Sequence, residues 1–342
     1  MKLAIGSNIK KGPWGGGNNF VSNLADFLKK KNCEVFFDLK EKNLDIILLT
    51  DPRPKSQSAS FDHFDIYNYI KKINPKALVV HRINECDERK STKGVNDSLL
   101  FANNFSDFTI FISTWLLKLF SNLKKFKNCT VIYNGANKKI FFDKKHKNET
   151  KGKFKIVTHH WSNHFNKGFD IYKLIDNKIA EDINFKNKID FTFIGNLPEK
   201  NFFSNINYVE PLCGIELADE IRKNDAYITG SRNEPGGNHQ NEAINCGLPV
   251  LYLNSGCMKE YCEGYGLEYK KENLFEKIQE LILKYEIYKN KMPLYKINSD
   301  KTCSDYYELF KKLISNREKF VEERRWPKIP LYKFLKKKLQ RL

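Results

Sequence analysis

Two successive series of short apolar segments, separated by amphipathic stretches of helical period, constrain this chain more than any other feature. In the first series Lys2–Gly6, Glu34–Asp38, Leu44–Thr50, Ala77–Asn84, Asp107–Ser113 and Thr130–Tyr133 read as strands. Between them Asn19–Lys31, Asp65–Ile73, Leu99–Asn104 and Thr114–Leu123 read as helices, the first with Phe20, Leu24 and Leu28 on one stripe. Nearly continuous apolar strands with helices between them imply a parallel sheet covered on both faces. The lysine-rich, polar stretch Asp143–Lys153 interrupts the pattern and reads as a linker. The pattern then restarts. Phe154–His159, Asp190–Gly195, Ala226–Ser231, Pro249–Asn254 and Leu267–Tyr269 read as strands, and Phe169–Ala180, Ile215–Lys223 and Glu272–Tyr285 as helices. The expected fold class is therefore α/β, with two doubly wound domains, residues 1–150 and 151–302. A helix over 303–320 and a basic amphipathic tail over 321–342 follow.

Hydrophobic residues make up 41% of the chain and aromatics 13%, so a substantial core can form and disorder is excluded as its main state. No apolar run approaches a membrane span, and the amino-terminal stretch has too few apolar residues for a signal-peptide core. The eight cysteines show no Cys-x-x-Cys pair and no zinc-ligand spacing. They read as small buried hydrophobes in a reducing cytoplasm, with no metal site. The formal charge of +18 is dominated by lysine. It fits either a solvated surface of biased composition or an anionic partner: a diphosphate, a membrane surface or nucleic acid.

The most chemically informative stretch runs from Asp225 to Gly256. It holds Glu234 and Glu242 between a predicted strand and a Gly-Leu-Pro-Val turn, with Gly236 and Gly237 after the first acid and a short helix carrying the second. Glycines let a ligand approach the backbone, free helix N–H groups face anions, and carboxylates accept from ligand hydroxyls. That combination suits a sugar nucleotide. Glu242 would accept both hydroxyls of a ribose. Glu234 would hold hydroxyls of the donor sugar, with the amides near Gly236, Gly237 and Asn238 beside its phosphate. Helix capping is the bland alternative for this pair. Lys167, at a strand-to-helix turn, can neutralise the charge that grows on a departing diphosphate; alone, it would more often be an ordinary helix-start lysine. Gly15, Gly16 and Gly17, in the loop Gly12–Asn19, allow close approach to phosphate or sugar. That loop is neither a dinucleotide fingerprint nor a P-loop. His81 closes an apolar strand and enters a polar segment that includes Arg82, Asn84, Asp87 and Arg89. A lone histidine there is more often structural than catalytic, but the carboxyl edge of a parallel sheet raises its candidacy. His159 and His160 stand at the corresponding edge of the second series.

Taken in order, Gly15-Gly16-Gly17, His81, Ser113, Asn134-Gly135, Lys167-Gly168, and Glu234 to Glu242 with Ala243, Gly247, Pro249 and Val250 make the chain resemble the retaining glycosyltransferases of family 4. The resemblance covers nearly the whole chain except about the last twenty residues. It implies the GT-B fold: two Rossmann-like domains facing across a cleft, donor bound mainly by the second and acceptor by the first. It implies glycosyl transfer from a nucleotide-diphosphate sugar with retention, with no metal and no further cofactor. The site residues carried over are His81, Lys167 and Glu234 as catalytic, with Glu242 on the donor. The last long helix would cross back onto the first domain. The chain departs from the family in two places. The arginine usual before the lysine is absent, and His159-His160-Trp161-Ser162-Asn163 stands there, so a histidine such as His160, Ser162 or Asn163, or an arginine from elsewhere must meet the diphosphate. The residues before Glu242, Asn238-His239-Gln240-Asn241, are polar where the family is commonly apolar.

From Arg324 to Leu342 there are eight basic residues and no acidic one, with Leu331, Leu335, Leu339 and Leu342 at helical spacing. This segment would dock on an anionic membrane leaflet, placing a cytoplasmic enzyme at the inner face; a packed or mobile tail is the alternative. The acceptor is expected to be a glycan or a lipid-linked glycan of surface polysaccharide or lipopolysaccharide synthesis. The competing functions are a GT-B sugar-nucleotide epimerase and a basic nucleic-acid-binding protein. Against the latter, the lysines are dispersed and no recognition module is present.

Overall fold

The computed structural model describes residues 1–10, 15–53, 56–144 and 152–327. The loop residues Gly12–Trp14, most of the expected linker and the tail beyond Pro327 lie outside the described residues. In chain order the first part contains β1 (Lys2–Ile5), α1 (Gly16–Lys30), β2 (Glu34–Phe36), β3 (Ile46–Leu49), α2 (His63–Lys72) and β4 (Leu78–Ile83). It continues with α3 (Asp87–Lys90), α4 (Val95–Asn103), β5 (Phe108–Phe111), α5 (Thr114–Ser121) and β6 (Cys129–Val131). The second part contains β7 (Phe154–His160), α6 (Phe169–Glu181), α7 (Ile183–Lys188), β8 (Ile189–Gly195), β9 (Asn207–Val209), α8 (Gly214–Arg222) and β10 (Ala226–Thr229). After these come α9 (His239–Asn245), β11 (Val250–Leu253), α10 (Met258–Cys262), β12 (Gly266–Tyr269), α11 (Leu274–Leu283) and α12 (Tyr285–Lys289). Helices α13 (Ser299–Ser315) and α14 (Arg317–Glu323) complete it.

The strands form two six-stranded sheets, ordered β2-β1-β3-β4-β5-β6 and β12-β11-β10-β7-β8-β9. Every pairing in both is parallel. The strand order reverses between β1 and β3 in one sheet and between β7 and β10 in the other. Loops diverge at such a point and leave a crevice at the carboxyl ends of the strands.

Each sheet is apolar on both faces because helices cover both. In the first, Leu3, Ile5, Leu48 and Val80 meet Phe20, Val21, Leu24 and Leu28 of α1, while Ala4, Ile47 and Val79 meet Ile66, Tyr69 and Ile70 of α2. The α1 face is completed from far along the chain: Cys303, Tyr306, Phe310 and Leu313 of α13 share that cluster, and the Phe20 and Tyr306 rings lie 5.0 Å apart. The Asn298 side chain caps α13, accepting from Lys301 N–H at 3.1 Å, and Ser299 N–H donates to the Ala136 carbonyl at 2.8 Å.

Several boundaries differ from the sequence reading. The helix expected over Cys303–Phe320 is two helices. Asn316 turns out of the helical region (φ −111°, ψ 21°) and its amide donates to the Lys312 carbonyl at 2.8 Å, a side chain competing with the backbone ladder. Gly16 and Gly17 sit in the first turn of α1, not in the loop before it. The short elements α3, α7, β9 and α10 carry too little periodicity to be seen in sequence. Arg324, assigned above to the tail, belongs to the packed body: its guanidinium pairs with the buried Asp107 at 2.7 Å and donates to the Pro75 and Ala77 carbonyls. Of the cysteines, six are buried as expected, Cys129 is half-buried and Cys213 is exposed.

Candidate active site

A cavity of about 610 Å³ lies between the carboxyl ends of the two sheets. The loops after β7 and β10, on either side of the reversal in strand order, supply Lys167 and Glu234 to its lining. The β7 loop ends in a short 3-10 turn, Phe165–Lys167, closed by Gly168 at φ +88°. Gly168 packs against the backbone of Gly230, where any Cβ would collide, so the two loops approach at the distance of bare backbone. A carbonyl–amide bond from Arg232 N–H to Asn166 O at 2.8 Å ties them further.

That approach brings Lys167 and Glu234 together. Lys167 Nζ donates to Glu234 Oε2 at 2.5 Å, and both side chains are buried. Burial opposes the charge on Glu234, but the Lys167 and Arg89 cations outweigh it and hold the carboxyl well below the usual carboxylate range. Burial lowers the Lys167 ammonium from its ordinary value, with Glu234 acting against that shift. Arg89 reaches in from the other sheet, its Nε 3.4 Å from Glu234 Oε1 and its Nη1 2.6 Å from Glu85 Oε2.

Glu242 sits one turn into α9, and its Oε2 lies 2.7 Å from His159 Nε2. Three of the polar residues before it bond inside the protein, while Asn238 Oδ1 and Gln240 Oε1 are buried without a hydrogen-bond partner among the described residues. His239 pairs with Thr229 Oγ1 at 2.9 Å, Gln240 donates to the Gly237 carbonyl at 2.7 Å, and Asn241 donates to the Asn134 carbonyl at 3.1 Å. Their polarity therefore reflects a buried hydrogen-bond network that anchors the helix, including to the first sheet's side of the cleft. Asn134 answers by donating to the Gly236 carbonyl at 2.6 Å and accepting from Arg82 Nη2 at 2.8 Å.

Gly15, Gly16, Gly17, His160, Ser162, Lys167, Glu234, Gly236, Gly237, Asn238 and Glu242 all line this cavity. His160 does so with its ring engaged, Nε2 lying 2.6 Å from Tyr172 Oη. Burial, reinforced by the neighbouring His239 and Lys167, keeps it far below the usual histidine pKa, so it is a neutral group. His81 is the exception. It is fully buried on the face of β4 that meets α4, where Asn103 Nδ2 donates to its Nδ1 at 3.3 Å. Burial pushes its pKa down to about 3. The next residue, Arg82, takes the face toward α1 and the cavity, stacked 3.9 Å from the Phe20 ring centroid. Strand alternation thus exchanges the expected histidine for an arginine. Sequence reading noted Arg82 and Arg89 only as polar, and passed over Asn134 as a bridge and Trp161, a half-open indole at the cavity wall.

Among the described residues no group of three His, Cys, Asp or Glu is placed to hold a metal ion, and no helix is long and apolar enough to cross a membrane. No family model and no curated protein matches the chain. Solved structures do. The chain is similar to sucrose-phosphate synthase from Thermosynechococcus elongatus at 13% identity, covering 92% of this chain and 100% of that one, with a TM-score of 0.66. It is similar to HepE from Anabaena, solved with UDP, at 14% identity over 91% and 100% of the two chains, with a TM-score of 0.67. A glycosyltransferase from Rickettsia africae matches at 14% identity over 92% and 98%, with a TM-score of 0.66. HepE has also been solved with UDP-glucose. The chain has the GT-B fold expected from the resemblance: two Rossmann-like sheets whose carboxyl ends share one cleft.

Proposed function

We propose that this protein is a glycosyltransferase that moves a sugar from a nucleotide-diphosphate sugar to a glycan or lipid-linked acceptor, with retention and without a metal ion. The observation that carries the reading is the convergence of Lys167, Glu234 and Glu242 on one cavity at the strand-order reversal, in a fold shared with proteins solved with UDP and UDP-glucose.

Each residue has a task that its surroundings fit. Glu242, oriented by His159, accepts from the two ribose hydroxyls. Glu234, held ionised, accepts from hydroxyls of the transferred sugar. Amides around Gly236, Gly237 and Asn238, and the amino end of α1 at Gly15 to Gly17, face phosphate oxygens. As the anomeric carbon–oxygen bond breaks, its electron pair passes to the diphosphate, and Lys167 is placed to stabilise the charge that grows there. The acceptor hydroxyl forms the new bond on the same face and gives its proton to the departing phosphate oxygen. His81 has no contact with the cavity and drops out of this scheme. Fixed cations would make a metal unnecessary, and a chelator should leave turnover intact.

The remaining basic run, Lys328–Leu342, has six basic and no acidic residues, which supports docking of a cytoplasmic enzyme on an anionic leaflet. The deciding experiment for the function is a thermal-shift screen against UDP, GDP, ADP, CDP and dTDP and their sugars. A ligand of the native state raises its melting temperature by mass action. One nucleotide series should stabilise the chain and its sugar form should be consumed in the presence of an acceptor. Failure of every diphosphate to shift the transition would overturn the reading.

A further inference from the structure

Lys167 is one buried cation, whereas a departing nucleoside diphosphate carries two phosphate groups. The β7 loop supplies no arginine. The structure nevertheless brings one to the same carboxylate. Arg89 lines the cavity from α3, on the connection after β4 of the opposite sheet, and its Nε lies 3.4 Å from Glu234. Its Nε is buried and makes no hydrogen bond of good geometry among the described residues.

What holds α3 there is informative. Asn166 Nδ2 donates to the Glu88 and Arg89 carbonyls at 3.3 and 3.0 Å, and Asn233 Nδ2 donates to the Glu88 carbonyl at 3.3 Å. These two asparagines immediately precede Lys167 and Glu234 in sequence. The loops that carry the reactive pair therefore also grip the backbone that carries Arg89. On its far side Arg89 is braced by Glu85, which in turn lies 4.0 Å from Arg53. A helix of four residues has little stability of its own, so the position of Arg89 depends on this grip across the cleft.

We propose that Arg89 is the second cation for the leaving diphosphate, supplied from the first sheet's side, with Asn166 and Asn233 as positioning residues that place it only when the two sides of the cleft are together. The proposal rests on the glycosyl-transfer reading. In the free protein Glu234 occupies the Arg89 and Lys167 cations. On donor binding the diphosphate oxygens share them, and Arg89 stabilises the electron pair that the broken anomeric bond leaves on the phosphate.

Calorimetry on the full chain tests this with whichever nucleoside diphosphate the screen identifies, alongside the matching nucleoside. Arg89→Ala should weaken diphosphate binding at least tenfold and leave nucleoside binding within twofold. Arg89→Lys should restore part of the loss and Arg89→Gln little of it. Asn166→Ala combined with Asn233→Ala should reproduce the same selective loss, with kcat for donor consumption falling more than KM rises. Equal weakening of nucleoside and diphosphate, or diphosphate affinity and turnover unchanged in Arg89→Ala, would overturn the role of Arg89. Should Arg89→Ala fail to fold, Arg89→Gln carries the same comparison. A wild-type chain that binds none of the diphosphates would instead remove the glycosyl-transfer reading, and this inference with it.

Discussion

At the scale of single residues, the site depends on charges removed from water and balanced against one another. Lys167 faces a carboxylate in the resting protein and a diphosphate in the proposed reaction. Its value there is greatest as charge develops on the leaving group, because a fixed cation in a dry site need not reorganise. Lys167→Ala should therefore lower kcat about 10²–10³-fold while changing donor affinity much less; equal losses of both would refute the leaving-group role. His81 belongs to stability instead. Its folded pKa is depressed to about 3 by burial, so between that value and about 6.5 the unfolded chain binds a proton that the folded chain does not. Stability is then complete above about pH 6.5 and falls as the pH drops toward 3. His81 alone should cost about 2 kcal/mol between pH 7 and pH 5, and His160 and His239, also lowered by burial, act in the same direction. Urea unfolding at the two pH values should show this loss, reduced by about that amount in His81→Gln; an undiminished loss would refute the assignment. Glu234, Glu242 and Lys167 were legible in sequence because spacing and order survive without coordinates. The exchange of His81 for Arg82 was not. All six residues of β4 are buried, so the alternation that normally tells one face from the other is erased. Arg89 was visible only as part of a polar loop, since its partners lie on the other sheet.

At the scale of elements, the apolar period located every strand of the two sheets except the short β9, and it failed where an element is held by something other than its own pattern. Helix α3 is gripped by side chains from the opposite side of the cleft. Helix α10 uses Glu260 to accept from the Thr114 and Trp115 amides at 2.8 and 3.0 Å, capping the start of α5. The split after Ser315 turns on one asparagine side chain, and Arg317 secures the far side by pairing with Asp45 at 2.5 Å. The long-range element is α13. Phe310, fully buried against α1 and the first sheet, should cost about 3–5 kcal/mol when changed to Ala. Leu283, at the end of α11 and 87% exposed, should cost under about 0.5 kcal/mol for the same change. Chemical denaturation of the two variants checks the difference, and similar values would mean that α13 is not part of the first sheet's core.

At the scale of the whole molecule, the boundary between body and tail is later than sequence suggests. Arg324 and Trp326 are packed, the indole lying 6.0 Å from the Phe105 ring and 6.4 Å from the Tyr67 ring. Removing Lys328–Leu342 should therefore abolish binding to phosphatidylglycerol vesicles while leaving the melting temperature within about 2 °C, a surface-sized effect. Removing Arg324–Leu342 should in addition cost roughly 3–5 kcal/mol, because it strands the buried Asp107 carboxylate. Flotation assays and thermal unfolding separate the two outcomes; vesicle binding that survives the shorter deletion would refute the membrane role. The packing of α13 on α1 has a consequence for biosynthesis. The side chains of α13 that cover the apolar stripe of α1 are made only after both sheets have been translated. At ~5–20 residues per second the stripe waits roughly 15–60 s for its cover. During that interval the nascent chain presents Phe20, Leu24 and Leu28 uncovered, a natural landing place for a holdase chaperone.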